Sequence, residues 1–247
     1  MWNNFIILIL AFCWLIAGYF SWNNEVFIPT LPEVLINTLS LLQTEKFWGH
    51  IISSLGVIFS GFVLSLIIAI PTGIIMGSYT RMNAALRNFI ELIRPLSPLA
   101  LYPLFIYLFG IGFMPKLIIV FWVSWIPLLF NIITGVQCVN EDYLRMAKTF
   151  GATRKQILIE ILLPAIKPWI ITGMRLSIGS SLLVIVAAEM IGSNNGIGFF
   201  ILNASYTFQI VNLYSGILVI AIIGILINTF FIWWEKTIIN YNNKIQL

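Results

Sequence analysis

Charge is scarce in this chain: 9% of its 247 residues are Asp, Glu, Lys or Arg, against about 25% in soluble globular domains. With 60% hydrophobic residues and a mean hydropathy of +0.99, it has too little polar surface to cover a water-soluble fold. Histidine occurs once, as His50, and the two cysteines, Cys13 and Cys138, sit in or beside apolar segments without CxxC or Cys/His spacing. A disulfide framework and a clustered metal site are thereby excluded, and both thiols are expected to be buried. There is no GxxxxGK[ST] phosphate loop and no Ser/His/Asp constellation, and the 9 acidic residues are scattered. Hydrolysis of ATP by this chain alone, and membrane-enzyme chemistry in general, lack their equipment. Residues 1–21 are apolar but have neither a basic leading region nor a small-residue cleavage signal, so an uncleaved first span is expected rather than a removed signal peptide.

What is present is a series of long apolar runs, such as 64–75 and 217–227, unlike the short alternating segments of a closed barrel. An all-α membrane protein is the fold class these runs predict. At about 20 residues per crossing the length holds about five to seven helical spans. Six are predicted, near 5–21, 51–78, 96–111, 115–137, 168–191 and 214–234. Arg81, Arg87 and Arg94 lie between the second and third spans, and Arg145, Lys148, Arg154, Lys155 and Lys167 between the fourth and fifth. The positive-inside rule puts these loops in the cytoplasm, with both termini on the same side. The outer connections carry only Lys46 and Lys116, and residues 192–213 have no charge. Orientation of helices thus accounts for the net charge of +4, and no nucleic-acid partner is expected. The expected organisation is a first span and external amphipathic segment over 1–50, a transmembrane core over 51–237 with a cytoplasmic loop at 138–167, and a cytoplasmic tail over 238–247.

Prolines punctuate the third span at Pro95, Pro98 and Pro103, ahead of Phe109-Gly-Ile-Gly112. Backbone groups released there must find partners inside the protein, so two readings stand: a helix beside a water-filled pathway, or a bundle helix that tolerates its prolines. Residues 29–48, with Pro29, Pro32, Glu33 and Glu45 among leucines, read as an amphipathic helix on the outer membrane face. Arg175 lies about 10 Å into the fifth span, within hydrocarbon depth, and must face protein, water or an anion. Its alternatives are a structural bond near the cytoplasmic end and substrate contact. Glu189 is about 21 Å further along, too far to pair with Arg175. A structural bond to the Ser193-Asn-Asn195 loop stands beside a pathway or gate role.

The polar interruption Asn140 to Lys167 specifies two short helices. Asn140 is an N-cap, Glu141 and Asp142 suit a helix start, Lys148 suits a last turn and Gly151 supplies a left-handed stop, giving one helix over 140–150. Thr153 with Gln156 has capping-box spacing for the second, Pro164 is expected to break or end it, and Pro168 can open the next span as a first-turn proline. On the first helix Tyr143, Met146, Ala147 and Phe150 share one face, with Arg145 and Lys148 elsewhere. This face either docks in a groove of a soluble partner or lies on the bilayer or its own bundle.

The same loop resembles the EAA loop of ATP-binding-cassette importer permeases, whose pattern is Glu-Ala-Ala, three residues, Gly, nine residues, then Ile-x-Leu-Pro. Gly151 is followed at that distance by Ile161, Leu163 and Pro164, and Ala147 holds the second alanine position, with Phe150 and Ala152 flanking the glycine. Arg145 stands where the family usually has glutamate, and Met146 where it often has its first alanine. The resemblance runs from about residue 28 to 236 and points to the nitrate, sulfonate and taurine branch. It is carried by Ile93-Arg-Pro-Leu-Ser-Pro98 through Leu108-Phe-Gly-Ile-Gly112, by Gly173-Met-Arg175 through Ala188-Glu-Met190, and by Gly196-Ile-Gly198. Gly56 and Val57 depart from that branch where basic residues are common, as does Phe113 where glutamate is frequent.

The resemblance implies a MetI-like permease fold with a cytoplasmic coupling helix between spans four and five. It implies a pairing with a second permease copy, two cytosolic ATPase subunits that carry the ATP and Mg, and an external substrate-binding protein. No cofactor is implied on this chain itself. The substrate implied is a small sulfonate, taurine or nitrate-like anion, with a thiamine-precursor pyrimidine as the alternative, and the place implied is a bacterial inner membrane. Pro98, Pro103, Arg175 and Glu189 are the candidate pathway residues. From other classes, a self-sufficient secondary transporter is expected to show repeat halves and intramembrane carboxylates, for which Glu189 alone speaks, and a membrane scaffold needs no cavity.

Overall fold

A computed structural model describes residues 29–243; the expected first span at 5–21, Cys13 and the chain's last four residues lie outside them. Among the described residues all regular structure is helical: α1 (Leu31–Leu42), α2 (Glu45–Ser78), α3 (Thr80–Ile93), α4 (Pro98–Phe109), α5 (Phe113–Gln137), α6 (Glu141–Thr149), α7 (Arg154–Gly192), α8 (Ile197–Tyr206) and α9 (Ile210–Asn243). Four of these, α2, α5, α7 and α9, are long and apolar enough to cross a membrane. The segment expected as a proline-interrupted third span at 96–111 is a 12-residue helix, α4, bent by 86° from α3. Twelve residues rise about 18 Å, short of a hydrocarbon core of roughly 30 Å, so α4 alone does not have the length of a crossing, and with α3 it forms a broken or re-entrant segment. Pro95 lies at the break: Arg94 keeps helical backbone, but the proline supplies no N–H to continue the α ladder and its ring crowds the preceding turn.

Glycine sets the spacing of the central helices. A Cβ on Gly61 would lie 2.7 Å from Val120, one on Gly73 2.7 Å from Ile132, and one on Gly77 2.5 Å from Val136. The touching residue numbers rise together along both helices, so α2 and α5 are parallel and end at the same face. Gly135 meets Trp169 while Gly173 meets Leu128 and Asn131, so α7 runs antiparallel to α5. Hydroxyls close that second interface. Ser177 Oγ donates to the Ser124 carbonyl at 2.6 Å, and the hydroxyls of Ser124 and Ser181 share a hydrogen bond at 2.5 Å, all three side chains being fully buried. Where hydrophobic segregation is weak, small-residue contact and interhelical hydrogen bonds hold helices together.

Pro164 does not end a helix and Pro168 does not open one. Both lie within α7, which runs unbroken for 39 residues because Ile157–Leu162 adopts a π-turn, with Leu163 N–H donating to the Leu158 carbonyl. The wider turn brings the chain to Pro164 in a register where its missing N–H costs no regular α bond. Two apolar clusters follow from this frame: a lower one with Met76, Leu129, Ile132 and Ile166, and an upper one with Val57, Tyr102, Ile119 and Ile185.

Gly77→Ala forces a methyl into Val136 and is expected to lower stability by about 1–3 kcal/mol, as overpacking does. Thermal unfolding in detergent reads the loss, and Val136→Ala in the same chain is expected to recover most of it.

Candidate functional site

At the face where α2 and α5 end, α6 stands away from the bundle with no buried residue. Asn140 Oδ1 accepts from Asp142 N–H at 2.9 Å, the capping expected of it, and Thr153 with Gln156 forms the expected capping box at the start of α7. Gly151 has φ of +82° and open space around its Cα, so backbone conformation and not crowding requires glycine there. Tyr143, Met146 and Phe150 are 64%, 55% and 87% exposed, whereas Leu144 and Ala147 turn half-buried toward the bundle. Ala147 therefore belongs at the edge of the apolar face, and Leu144 was not singled out from the sequence although its three-residue spacing to Ala147 carries the signal. Arg145 pairs with Glu141 on the same helix at 2.7 Å, both highly exposed, a contact of little stabilising value. Beyond Gly151, Ala152, Ile161 and Leu163 are half-buried and Pro164 is exposed.

Halfway along α7, Arg175 Nη1 donates to Glu235 Oε2 at 3.1 Å and its Nε to Asn228 Oδ1 at 3.3 Å, while Thr172 donates to Glu235 Oε1 at 2.8 Å. These α9 partners were missed from the sequence, since nothing local ties residue 175 to residue 235. Arg175 forms one end of an open groove of about 650 Å³ between α7 and α9, walled by Gly179, Ser180, Leu183 and Gly224. Pro98 is half-buried and Pro103 exposed on α4, and neither lines this groove.

Glu189 departs from expectation. It is fully buried, but its carboxylate does not bond the Ser193–Asn195 loop. Instead Ser54 Oγ lies 2.8 and 2.9 Å from its two oxygens, Gly198 N–H donates to Oε2 at 2.9 Å, and Gly196 packs directly on the carboxylate. The loop holds another charge: buried Lys116 Nζ donates to Ser193 Oγ at 3.2 Å and Asn195 Oδ1 at 3.1 Å. Lys116, expected in an exposed outer connection, is thus an internal group of the first turn of α5. His50 Nδ1 accepts from Gly196 N–H and Ser54 Oγ from Ile197 N–H, at 3.2 and 2.9 Å. The first amides of α8, orphaned by helix geometry, are capped by side chains from α2 and α7, with a carboxylate at the positive end of the helix. This brace joins α2, α5, α7 and α8 around one turn.

Glu189→Ala leaves Ser54 and Gly198 N–H without their acceptor and is expected to cost on the order of 2–5 kcal/mol. Glu189→Gln keeps one acceptor oxygen and is expected to lie between it and the unsubstituted protein in thermal unfolding.

Residues 69–239 match the family of binding-protein-dependent transport system inner membrane components. The chain is 32% identical to the taurine transport system permease protein of Escherichia coli strain K12 over 89% of its own length and 82% of that protein. It is also 32% identical to a bicarbonate transport system permease protein of Synechococcus elongatus, over 80% of its length and 71% of that protein. The fold superposes on a chain of the MetNI methionine ABC transporter solved in inward-facing conformations with a TM-score of 0.67 at 13% identity, covering 75% of this chain and 93% of that one. With its apolar spans and projecting α6, the chain belongs to the binding-protein-dependent transport system inner membrane components, the permease subunits of ABC importers.

Proposed function

We propose that this chain forms one half of the translocation pathway of an ATP-driven importer, paired with a second copy of itself, docked on two cytosolic ATPase subunits and supplied by an external binding protein. The observation that carries the coupling role is α6: an amphipathic helix held off the bundle by Asn140 and Gly151, with Tyr143, Met146 and Phe150 left uncovered. Such a face suits a groove on a soluble partner, anchored by aromatic and methionine side chains. Arg145, Gly151, Ala152, Ile161, Leu163 and Pro164 complete the coupling segment in this reading. ATP and Mg belong to the ATPase subunits, and no cofactor is assigned to this chain.

Closure of the ATPase pair displaces α6. Leu144 and Ala147 pass the displacement to the start of α7, and α7, continuous to Gly192, acts as a lever about 58 Å long. Its far end carries Glu189 and the turn into α8, so movement at the cytoplasmic end is felt at the outer end of the pathway. The reading includes six spans with both termini cytoplasmic, the core over 51–237, the coupling loop over 138–167, a tail over 238–247, and Pro98 and Pro103 bordering the pathway on α4.

The substrate class proposed is a small anion of the sulfonate, taurine or nitrate kind. The taurine and bicarbonate permeases among its relatives support it, as does Arg175 at the groove, whose planar head has more donors than Glu235 and Asn228 use.

Two experiments test these parts separately. Phe150→Asp and Gly151→Arg are expected to lower recovery of the ATPase subunit with the tagged permease by about tenfold or more, the effect of losing an interface anchor, while membrane insertion persists. Unchanged recovery refutes the coupling assignment. Arg175→Gln is expected to raise the KM of sulfonate uptake in proteoliposomes and leave ATPase recovery intact; an unchanged KM refutes its contact with the anion.

A further inference from the structure

Helix α3 takes no part in coupling or in the groove, yet it is strongly two-sided. Met82, Leu86, Phe89 and Ile93 recur at i, i+4, i+7 and i+11 and form one stripe. At one edge of the stripe Ile90 is 3% exposed and packs into the lower core. The rest is not used by the bundle: Met82 is 45% exposed, Phe89 60%, and Leu92, at the opposite edge, 75%. At about 100° per residue, Arg87 and Arg94 fall just beyond the Ile90 edge and Arg81 just beyond the Leu92 edge. All three arginines are exposed. Arg94 stands over the Phe130 ring at 5.3 Å, and Arg87 bonds Glu91, the one acidic residue of α3, at 2.7 Å in the open. That exposed pair is weak and leaves Arg87 free to exchange partners.

The depth of α3 follows from its contacts. Ile90 clusters with Met76 and Val136, and Arg94 reaches Phe130, seven residues or about 10 Å from the end of α5. With the 86° bend to α4, this places α3 across the bundle near the boundary of headgroups and acyl chains, at the end that carries α6.

We propose that α3 is an interfacial helix that binds an anionic lipid surface, with Met82, Leu86 and Phe89 entering the acyl boundary and Arg81, Arg87 and Arg94 reaching the headgroup phosphates. Cations on both edges of an apolar stripe fit a two-phase surface, since each arginine extends its stem over apolar ground and its head into the charged layer. Each basic group near such a surface is drawn toward it by the negative potential of the anionic headgroups. The proposal goes beyond the transport reading and depends on neither substrate nor ATPase docking.

The test uses the full chain in nanodiscs of equal phosphatidylcholine and phosphatidylglycerol, with Cys13→Ser and Cys138→Ser and a bimane label at Phe89→Cys. Bromine on the phosphatidylglycerol chains is expected to quench the label at least about twofold more than bromine on phosphatidylcholine, and about 1 M salt, which shortens the screening length to about 3 Å, is expected to erase the difference. Replacing all three arginines by Gln is expected to erase it at low salt, and a label at Asn88→Cys, on the polar face, is expected to be quenched by neither. If neither lipid quenches at Phe89, the stripe is covered by protein, a second copy included, and the proposal fails. Equal quenching by both lipids at low salt, or equal quenching at Asn88 and Phe89, overturns it too. Should the triple variant not fold, the salt dependence of the parent decides.

Discussion

The close parallel approach of α2 and α5 through Gly61, Gly73 and Gly77 is the contact on which the rest of this molecule depends. Without side chains at those points, valine and isoleucine of one helix rest on the backbone of the other. In a bilayer, lipid tails are as apolar as leucine, so closeness of packing and not escape from solvent gives the helices a reason to associate. Once α2 and α5 end at the same face, α3 and α6 must emerge there, and α7 must return antiparallel against α5. Helix α6, the groove and the brace occupy their positions because of that frame.

The second constraint is the one lipid places on polar groups. Each hydroxyl, amide and charge in the interior needs a partner within the protein. The serines of α5 and α7 bond each other, Arg175 bonds Glu235 and Asn228, and Glu189 and Lys116 take hold of the turn between α7 and α8. The two carboxylate sites differ in kind. Glu235 meets a cation at a partly open groove, whereas Glu189 receives neutral donors in a sealed position and serves as a cap for a helix from elsewhere in the chain.

Much of the segment around α6 was legible because its rules are local. Asn140, Gly151, Thr153 and Gln156 act on backbone within a few residues of themselves, and each took the role its chemistry predicts. The prolines were read less well. A rule that proline ends a helix is also local, but it failed at Pro164, which follows a π-turn, and at Pro168, which sits within continuous helix, and it missed that the break near Pro95 would turn the chain by 86°. Which outcome a proline gives depends on whether neighbouring helices hold the two halves in line.

By itself, the sequence determined that this is a helical membrane protein, which face of α6 is apolar, where that helix starts and stops, and to which family of importer subunits the chain belongs. The fold class, the apolar face and the helix ends follow from composition, from 3.6-residue periodicity and from capping, all functions of neighbours along the chain, whereas the family is carried by the resemblance of Ala147, Gly151, Ile161, Leu163 and Pro164 to the EAA loop. Only the tertiary structure decided that Arg175 answers to Glu235, that Glu189 answers to Ser54 and Gly198, that Lys116 is internal, and that α3 bends by 86° into α4 with most of its apolar stripe exposed. Those pairings join residues 9 to 135 positions apart, and distances of that kind are set by packing geometry, on which periodicity and local propensity are silent.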